Sequence, residues 1–226
     1  MSNEDPSRFP ELGYCLFRDG LSPAALEPYS TYVDEALAEG RPLGEMHAFV
    51  ASWRSLCCHP KILRALEASL GTPELILFFS SAFVKQPHDA KRVDWHQENS
   101  CMNVVPRSHA GYRELEMIPV EEEKGAMLGR RVEVTAEMSS SAVPMILKAG
   151  EFSIHDSHLV HGSAPNHSSR RRGGYTIRYG NALTTKVDLA LHKYGDHEAL
   201  PVYYVRGEGT GLHDGYVDVR ALSGEW

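Results

Sequence analysis

Residues 95–98 read Trp95-His96-Gln97-Glu98, and residues 159–166 read Leu159-Val160-His161-Gly162-Ser163-Ala164-Pro165-Asn166. A histidine and a carboxylate one residue apart can turn toward the same point at the end of a strand. A second histidine from a neighbouring strand completes a two-histidine, one-carboxylate face, which leaves half of an octahedral metal ion open. His161 lies near the end of an expected strand and is the natural third member beside His96 and Glu98. His-x-Glu alone is a weak pattern in a chain with 12 histidines, so the surrounding sequence has to carry the reading.

Working outward, the residues beside these stretches predict strands. Leu75 to Val84 (LILFFSSAFV) is rich in aromatic and branched side chains and bounded by prolines, as a buried strand is. Val143 to Leu147, Phe152 to Val160 and Tyr175 to Tyr179 are expected strands separated by Gly and Asn/Ser turns, and Gly13 to Phe17 is a further short one. The stretch Ile118 to Ser141 is polar, with Glu121-Glu122-Glu123 and a serine cluster, and reads as a surface excursion or flap. Upstream the periodicity is helical. Ser22-Pro23 is a capped start, Leu26, Tyr29, Val33 and Leu37 recur at helical spacing, and Gly40 is a stop. Pro60 opens a second helix with Ile62, Leu63, Leu66 and Leu70 on one face, closed by Gly71. Helices first and short strands after them predict an α+β, mainly β fold. One domain is expected over 1–226, helical over about 20–71, with a barrel over about 75–185 and a C-terminal tail.

Composition narrows the partners. The chain has 226 residues and a formal net charge of -7, so its overall field disfavours nucleic acid and anionic membranes. Arg170-Arg171-Arg172 is a local exception. No apolar run approaches membrane-spanning length, and the polar, acidic N-terminus has no signal-peptide core. Cys15, Cys57, Cys58 and Cys101 form no CxxC pair and read as reduced thiols. A soluble cytoplasmic protein is expected.

The stretches Val93-Asp94-Trp95-His96-Gln97, Cys101-Met102-Asn103-Val104-Val105-Pro106-Arg107-Ser108-His109, and His161-Gly162-Ser163-Ala164-Pro165-Asn166 with the arginines that follow resemble the phytanoyl-CoA dioxygenase family. That family carries WHQD, then ENGCM…VxPGSH, then HGSxxN and an arginine. The opening Gly13-Tyr14 strand and Ser22-Pro23 helix are similar too, so the resemblance covers all but the part after about Val187. It implies a double-stranded β-helix of the jelly-roll, cupin-like kind with flanking N-terminal helices. It also implies Fe(II) held by His96, Glu98 and His161, with 2-oxoglutarate as cosubstrate. The family's cosubstrate arginine falls eleven positions after the distal histidine, on Arg172, whose planar guanidinium suits the far carboxylate of 2-oxoglutarate. Arg172 shares strand parity with Thr176 and Arg178 if the strand is unbroken, which leaves Arg170 and Arg171 in the turn. Ser163 matches the serine of HGS, and Lys85 looks like the family's strand lysine, beside its plainer reading as a snorkelling strand-end residue. His155 and His158 flank the distal histidine, and Asp156 is either a partner for a ligand imidazole or an ordinary strand-end carboxylate.

The chain departs from the family at one place. His96-Gln97-Glu98-Asn99-Ser100-Cys101-Met102 joins two motifs that the family separates by a WxALDD-like strand pair of roughly two dozen residues, enough for two strands and a turn. Glu98 is either the metal carboxylate, standing where the family has Asp, or the Glu of the later Glu-Asn pair. The favoured function is an Fe(II)- and 2-oxoglutarate-dependent dioxygenase that uses O2 to hydroxylate a small molecule, with release of succinate and CO2. The alternatives are a cupin-like metalloenzyme that does not use 2-oxoglutarate, and a degenerate relative that binds a small molecule or partner without turnover.

Overall fold

The computed structural model describes residues 3–97, 103–120, 126–193, 199–209 and 213–222. The chain divides into two compact units, Met1–Ser22 with Phe83–Gly174, and Pro23–Ala82 with Tyr175–Trp226. No helix among the described residues is long and apolar enough to cross a membrane.

The chain opens with α1 (Phe9–Leu12), ended by Gly13 at φ 79°, and turns directly into β1 (Tyr14–Phe17). A residue with a Cβ fits badly at that corner, because the added atom would lie 2.5 Å from His109 Nδ1 and 2.7 Å from Leu159 Cδ1. The expected helices follow as α2 (Pro23–Glu39) and α5 (Pro60–Leu70). Along α2 the buried face is Val33 and Ala36, whereas Leu37 is exposed. Between them lie two short helices that the periodicity does not reveal, α3 (Met46–Phe49) and α4 (Ala51–Cys57). The buried strand is β2 (Leu75–Lys85), and β3 (Val93–His96) and β4 (Asn103–Val104) come next.

The polar excursion contains a hairpin of β5 (Met117–Pro119) with β6 (Arg130–Val132), then α6 (Ala136–Ser141), capped by the Thr135 side chain. The remaining strands are β7 (Val143–Pro144), β8 (Phe152–His155), β9 (His161–Ser163), β10 (Arg172–Asn181), β11 (Tyr203–Arg206) and β12 (Val217–Asp218). Three expectations change here, the first being that the strand expected over Val143 to Leu147 stops at Pro144. The strand expected over Phe152 to Val160 ends at His155, because Asp156 starts a turn closed by Leu159 N–H donating to Asp156 O at 3.0 Å. His161 therefore opens a strand rather than ending one. The region read as a tail contains β11, which pairs antiparallel with β2 through Tyr203↔Leu77 and Tyr204↔Ile76.

In the first unit β1 pairs with β8, and β3-β9-β4-β7 form a four-stranded sheet. Its core is Leu12, Tyr14, Leu16, Val104, Met145 and Leu159. In the second unit Trp53 meets the rings of Tyr29, Tyr32 and Tyr175, and Ile76, Ala182, Val202 and Tyr204 form another core cluster. The other four-stranded sheet has the order β10-β2-β11-β12. The last residues of β2 and the first of β10 belong to the first unit.

Candidate metal centre

The site is built on β3 and β9. Val93 pairs with Ser163 and His96 with His161, so three steps along β3 match two along β9. The additional residue is a β-bulge, and it reverses side-chain parity beyond it. Without it His96 would point away from the face that carries His161 and Ser163. With it His96 and His161 become direct cross-strand partners on one face, where antiparallel neighbours touch. The glycine of His-Gly-Ser stands against this bulge. A Cβ on Gly162 would lie 3.1 Å from Val93 O and 3.3 Å from Trp95 N, both backbone atoms.

Both histidines are buried, and their ring centroids are 4.2 Å apart. His96 Nδ1 lies 2.7 Å from Asp94 O, and His161 Nδ1 lies 2.5 Å from Leu159 O. A carbonyl oxygen only accepts, so each Nδ1 carries a proton, and in the neutral form of such a ring the lone pair is on Nε2. This is how ligand imidazoles are oriented in metal sites. The sequence offered Asp156 for that orienting role. Instead its carboxylate accepts from His158 N at 2.8 Å and lies 3.2 Å from His158 Nδ1. His155, on β8, meets the His161 ring edge-on with centroids 5.1 Å apart. Gln97 was given no role by the sequence. Its Nε2 donates to Arg113 O (3.0 Å) and His158 O (2.6 Å), and its Oε1 accepts from Leu115 N (2.7 Å), so it ties two loops to the end of β3. Glu98 lies outside the described residues. Among the described residues no group of three His, Cys, Asp or Glu could hold a metal; the two imidazoles fit as one pair of ligands that needs a further donor.

Beside the histidines two cations converge on one hydroxyl. Lys85 Nζ donates to Ser163 O (3.0 Å), Ser163 Oγ (3.0 Å) and Ala164 O (2.9 Å). Arg172 Nη2 donates to Ser163 Oγ (2.9 Å) and Ala164 O (2.7 Å). Burial, and then the nearby Arg172 charge, pushes the Lys85 ammonium down to about 8, against a smaller opposing pull from Asp89. Its three N–H donors meet three oxygens, which keeps it charged at neutral pH. Arg172 is also lowered by burial and remains a guanidinium at any ordinary pH. Two positive groups sharing neutral acceptors form a cradle suited to a carboxylate, the end group of a dicarboxylic acid. Arg170 lies in the preceding turn and is exposed. Arg178, the other arginine of β10, lies over the Phe79 ring at 4.1 Å. Asp94 and Trp95 also line, with Arg131, Val132, Glu133 and Val134, an open recess of about 360 Å³.

Residues 97–174 match the profile of the phytanoyl-CoA dioxygenase (PhyH) family. The mouse (Mus musculus) phytanoyl-CoA dioxygenase domain-containing protein 1 is 27% identical over 165 residues, covering 62% of this chain and 56% of that protein. The chain thus spans little more than half the length of that relative. The apo structure of ThoJ, a non-heme monooxygenase, is similar with a TM-score of 0.70 at 21% identity, over 94% of this chain and 86% of that one. Its nickel complex gives 0.65 at 20% identity, over 97% and 89%. EvdO2 from Micromonospora carbonacea var. aurantiaca, complexed with 2-oxoglutarate, gives 0.58 at 18% identity, over 79% and 90%. The fold these structures share with the chain is the cupin-like jelly roll, mixed helix and sheet but mainly sheet. The His-Gly-Ser-x-x-Asn motif lies inside the matched segment and Trp95-His96 at its border, and over this segment the chain is similar to the phytanoyl-CoA dioxygenase family.

Proposed function

We propose that the chain is an Fe(II)- and 2-oxoglutarate-dependent dioxygenase that hydroxylates a small molecule with O2. The observation that carries this reading is the pairing of two buried imidazoles, both with Nδ1 tied to backbone carbonyls, with a two-cation cradle that closes on Ser163, two residues after His161 on β9. His96 and His161 would hold the metal through Nε2, with Glu98 as the carboxylate. Arg172, Ser163 and Lys85 would hold the far carboxylate of 2-oxoglutarate. When bound, the metal and cosubstrate would supply oxidative decarboxylation to succinate and CO2, coupled to insertion of one oxygen atom into a substrate C–H bond.

The chain's own contribution is orientation. The β3 bulge aims His96, the Asp94 and Leu159 carbonyls fix both tautomers, and Lys85 with Arg172 sets the direction from which a dicarboxylate approaches. The recess beside Asp94 and Trp95, walled by residues 131–134, would admit the substrate; its placement supports the excursion as the source of specificity. The test is succinate release by purified protein with Fe(II), O2 and 2-oxoglutarate, alone and with candidate small molecules. Succinate formed only when 2-oxoglutarate is present supports the reading. Fe(II) and 2-oxoglutarate binding with no succinate under any condition favours a non-turnover relative, and turnover independent of 2-oxoglutarate favours a cupin-like metalloenzyme.

A further inference from the structure

We propose that Asn166 is a positioning residue for the anion cradle, its buried amide fastening the end of β2 to the turn before β10 so that Lys85 and Arg172 stay together at Ser163. The inference rests on the cosubstrate reading above. Asn166 Nδ2 donates to Lys85 O (3.2 Å), Gln86 O (2.9 Å) and Arg170 O (2.8 Å). Its Oδ1 accepts from Ser168 Oγ (2.8 Å) and Ser168 N (3.3 Å). The backbone repeats the link, since Asn166 N donates to Asp89 O (3.0 Å) and His88 N to Ser168 O (3.2 Å). One buried side chain thus spans both segments that deliver the cations, its amide N–H groups reaching both and its oxygen accepting on the β10 side.

The chemistry explains why an amide is needed. Lys85 and Arg172 carry like charge and share the acceptors Ser163 Oγ and Ala164 O, so each favours the departure of the other. A carboxylate at position 166 could not donate to three carbonyls, and its charge would compete with the ligand for both cations. A neutral amide holds the two segments without quenching the cradle. Asp89, an acid whose charge acts on Lys85, itself accepts from the backbone N–H groups of Lys91 and Gln86.

The experiment uses the full chain as parent, Asn166→Ala and the milder Ser168→Ala. Under anaerobic conditions, calorimetry measures Fe(II) binding alone, then 2-oxoglutarate binding to the Fe(II)-loaded protein from about pH 6 to about pH 10. Positioning predicts that Asn166→Ala keeps Fe(II) affinity within about twofold and weakens 2-oxoglutarate about tenfold or more, as loss of an orienting partner does. It also predicts that the pH at which 2-oxoglutarate binding falls moves upward, because a released Lys85 regains solvent and moves away from Arg172. Ser168→Ala should weaken 2-oxoglutarate roughly three- to tenfold, the effect of one neutral hydrogen bond, and it decides the matter if Asn166→Ala does not fold. Parent-like cosubstrate affinity and pH midpoint in folded Asn166→Ala overturn the proposal. So does equal loss of Fe(II) and 2-oxoglutarate binding, which marks a general fold staple. A parent that binds Fe(II) but no 2-oxoglutarate removes the cosubstrate reading, and the proposal with it.

Discussion

Replacing Arg172 with alanine removes the planar half of the cradle while leaving Lys85 in place. In the structure the guanidinium reaches Ser163 Oγ at 2.9 Å and Ala164 O at 2.7 Å, both neutral acceptors, so these bonds leave its charge available to an anion. Truncating one partner of a buried, hydrogen-bonded charge pair costs about 2–5 kcal/mol. Arg172 is only partly buried, which argues for the lower part of that range, about 2–3 kcal/mol. At about 1.4 kcal/mol per tenfold, the 2-oxoglutarate Kd should rise about 30- to 150-fold. Anaerobic calorimetry on Fe(II)-loaded protein measures this directly, and Fe(II) affinity itself should be unchanged, since Arg172 touches neither histidine in the hydrogen bonds above. Arg172→Lys should fall between parent and alanine, keeping charge but losing the fork. An unchanged Kd in Arg172→Ala, with the loss appearing in Arg178→Ala instead, would refute the assignment.

Three further outcomes follow from the same geometry. A dicarboxylate binds the ammonium form of Lys85, so 2-oxoglutarate affinity should be full below about pH 8 and decline as pH rises through the depressed lysine value; Lys85→Met should remove that break, and a parent profile flat across it contradicts the role. Gly162→Ala should press the β3 bulge through Val93 O and Trp95 N, costing about 1–3 kcal/mol in thermal unfolding and weakening Fe(II) because His96 is re-aimed; parent-like Fe(II) affinity would show that the bulge does not set the ligand geometry. Glu98→Ala should cut Fe(II) affinity or uncouple turnover while Glu98→Asp keeps part of it, and a Glu98→Ala protein that binds Fe(II) like the parent places the carboxylate elsewhere.

Much of the fold was legible because its signals are local. β2 is a continuous run of aromatic and branched residues, and α2 and α5 announce themselves with a proline start, an apolar face and a glycine stop. α3 and α4 escaped because four and seven residues are too short for a period, and no Gly or Pro separates them. β11 was read as tail because its partner, β2, is remote in sequence and nothing local records the pairing. Motif spacing was enough to single out His96 and His161, but the bulge that brings them to one face is a register shift between two strands and leaves no mark in either alone. The groups orienting their rings are backbone carbonyls, which every residue has. The sequence leaves Lys85 between two meanings, since a strand-end lysine that snorkels and one that turns inward have the same sequence; its three bonds to Ser163 and Ala164 turn it inward.

The central claim is that one metal ion sits between the two imidazoles. A crystal structure of the chain loaded anaerobically with Fe(II) and 2-oxoglutarate tests it most directly. The account predicts a single metal bonded to Nε2 of His96 and Nε2 of His161 at about 2.1 Å each, with the far carboxylate of 2-oxoglutarate against Arg172 and Lys85. Metal bound elsewhere, or through only one of these histidines with the other ring still hydrogen-bonded and turned away, would contradict it.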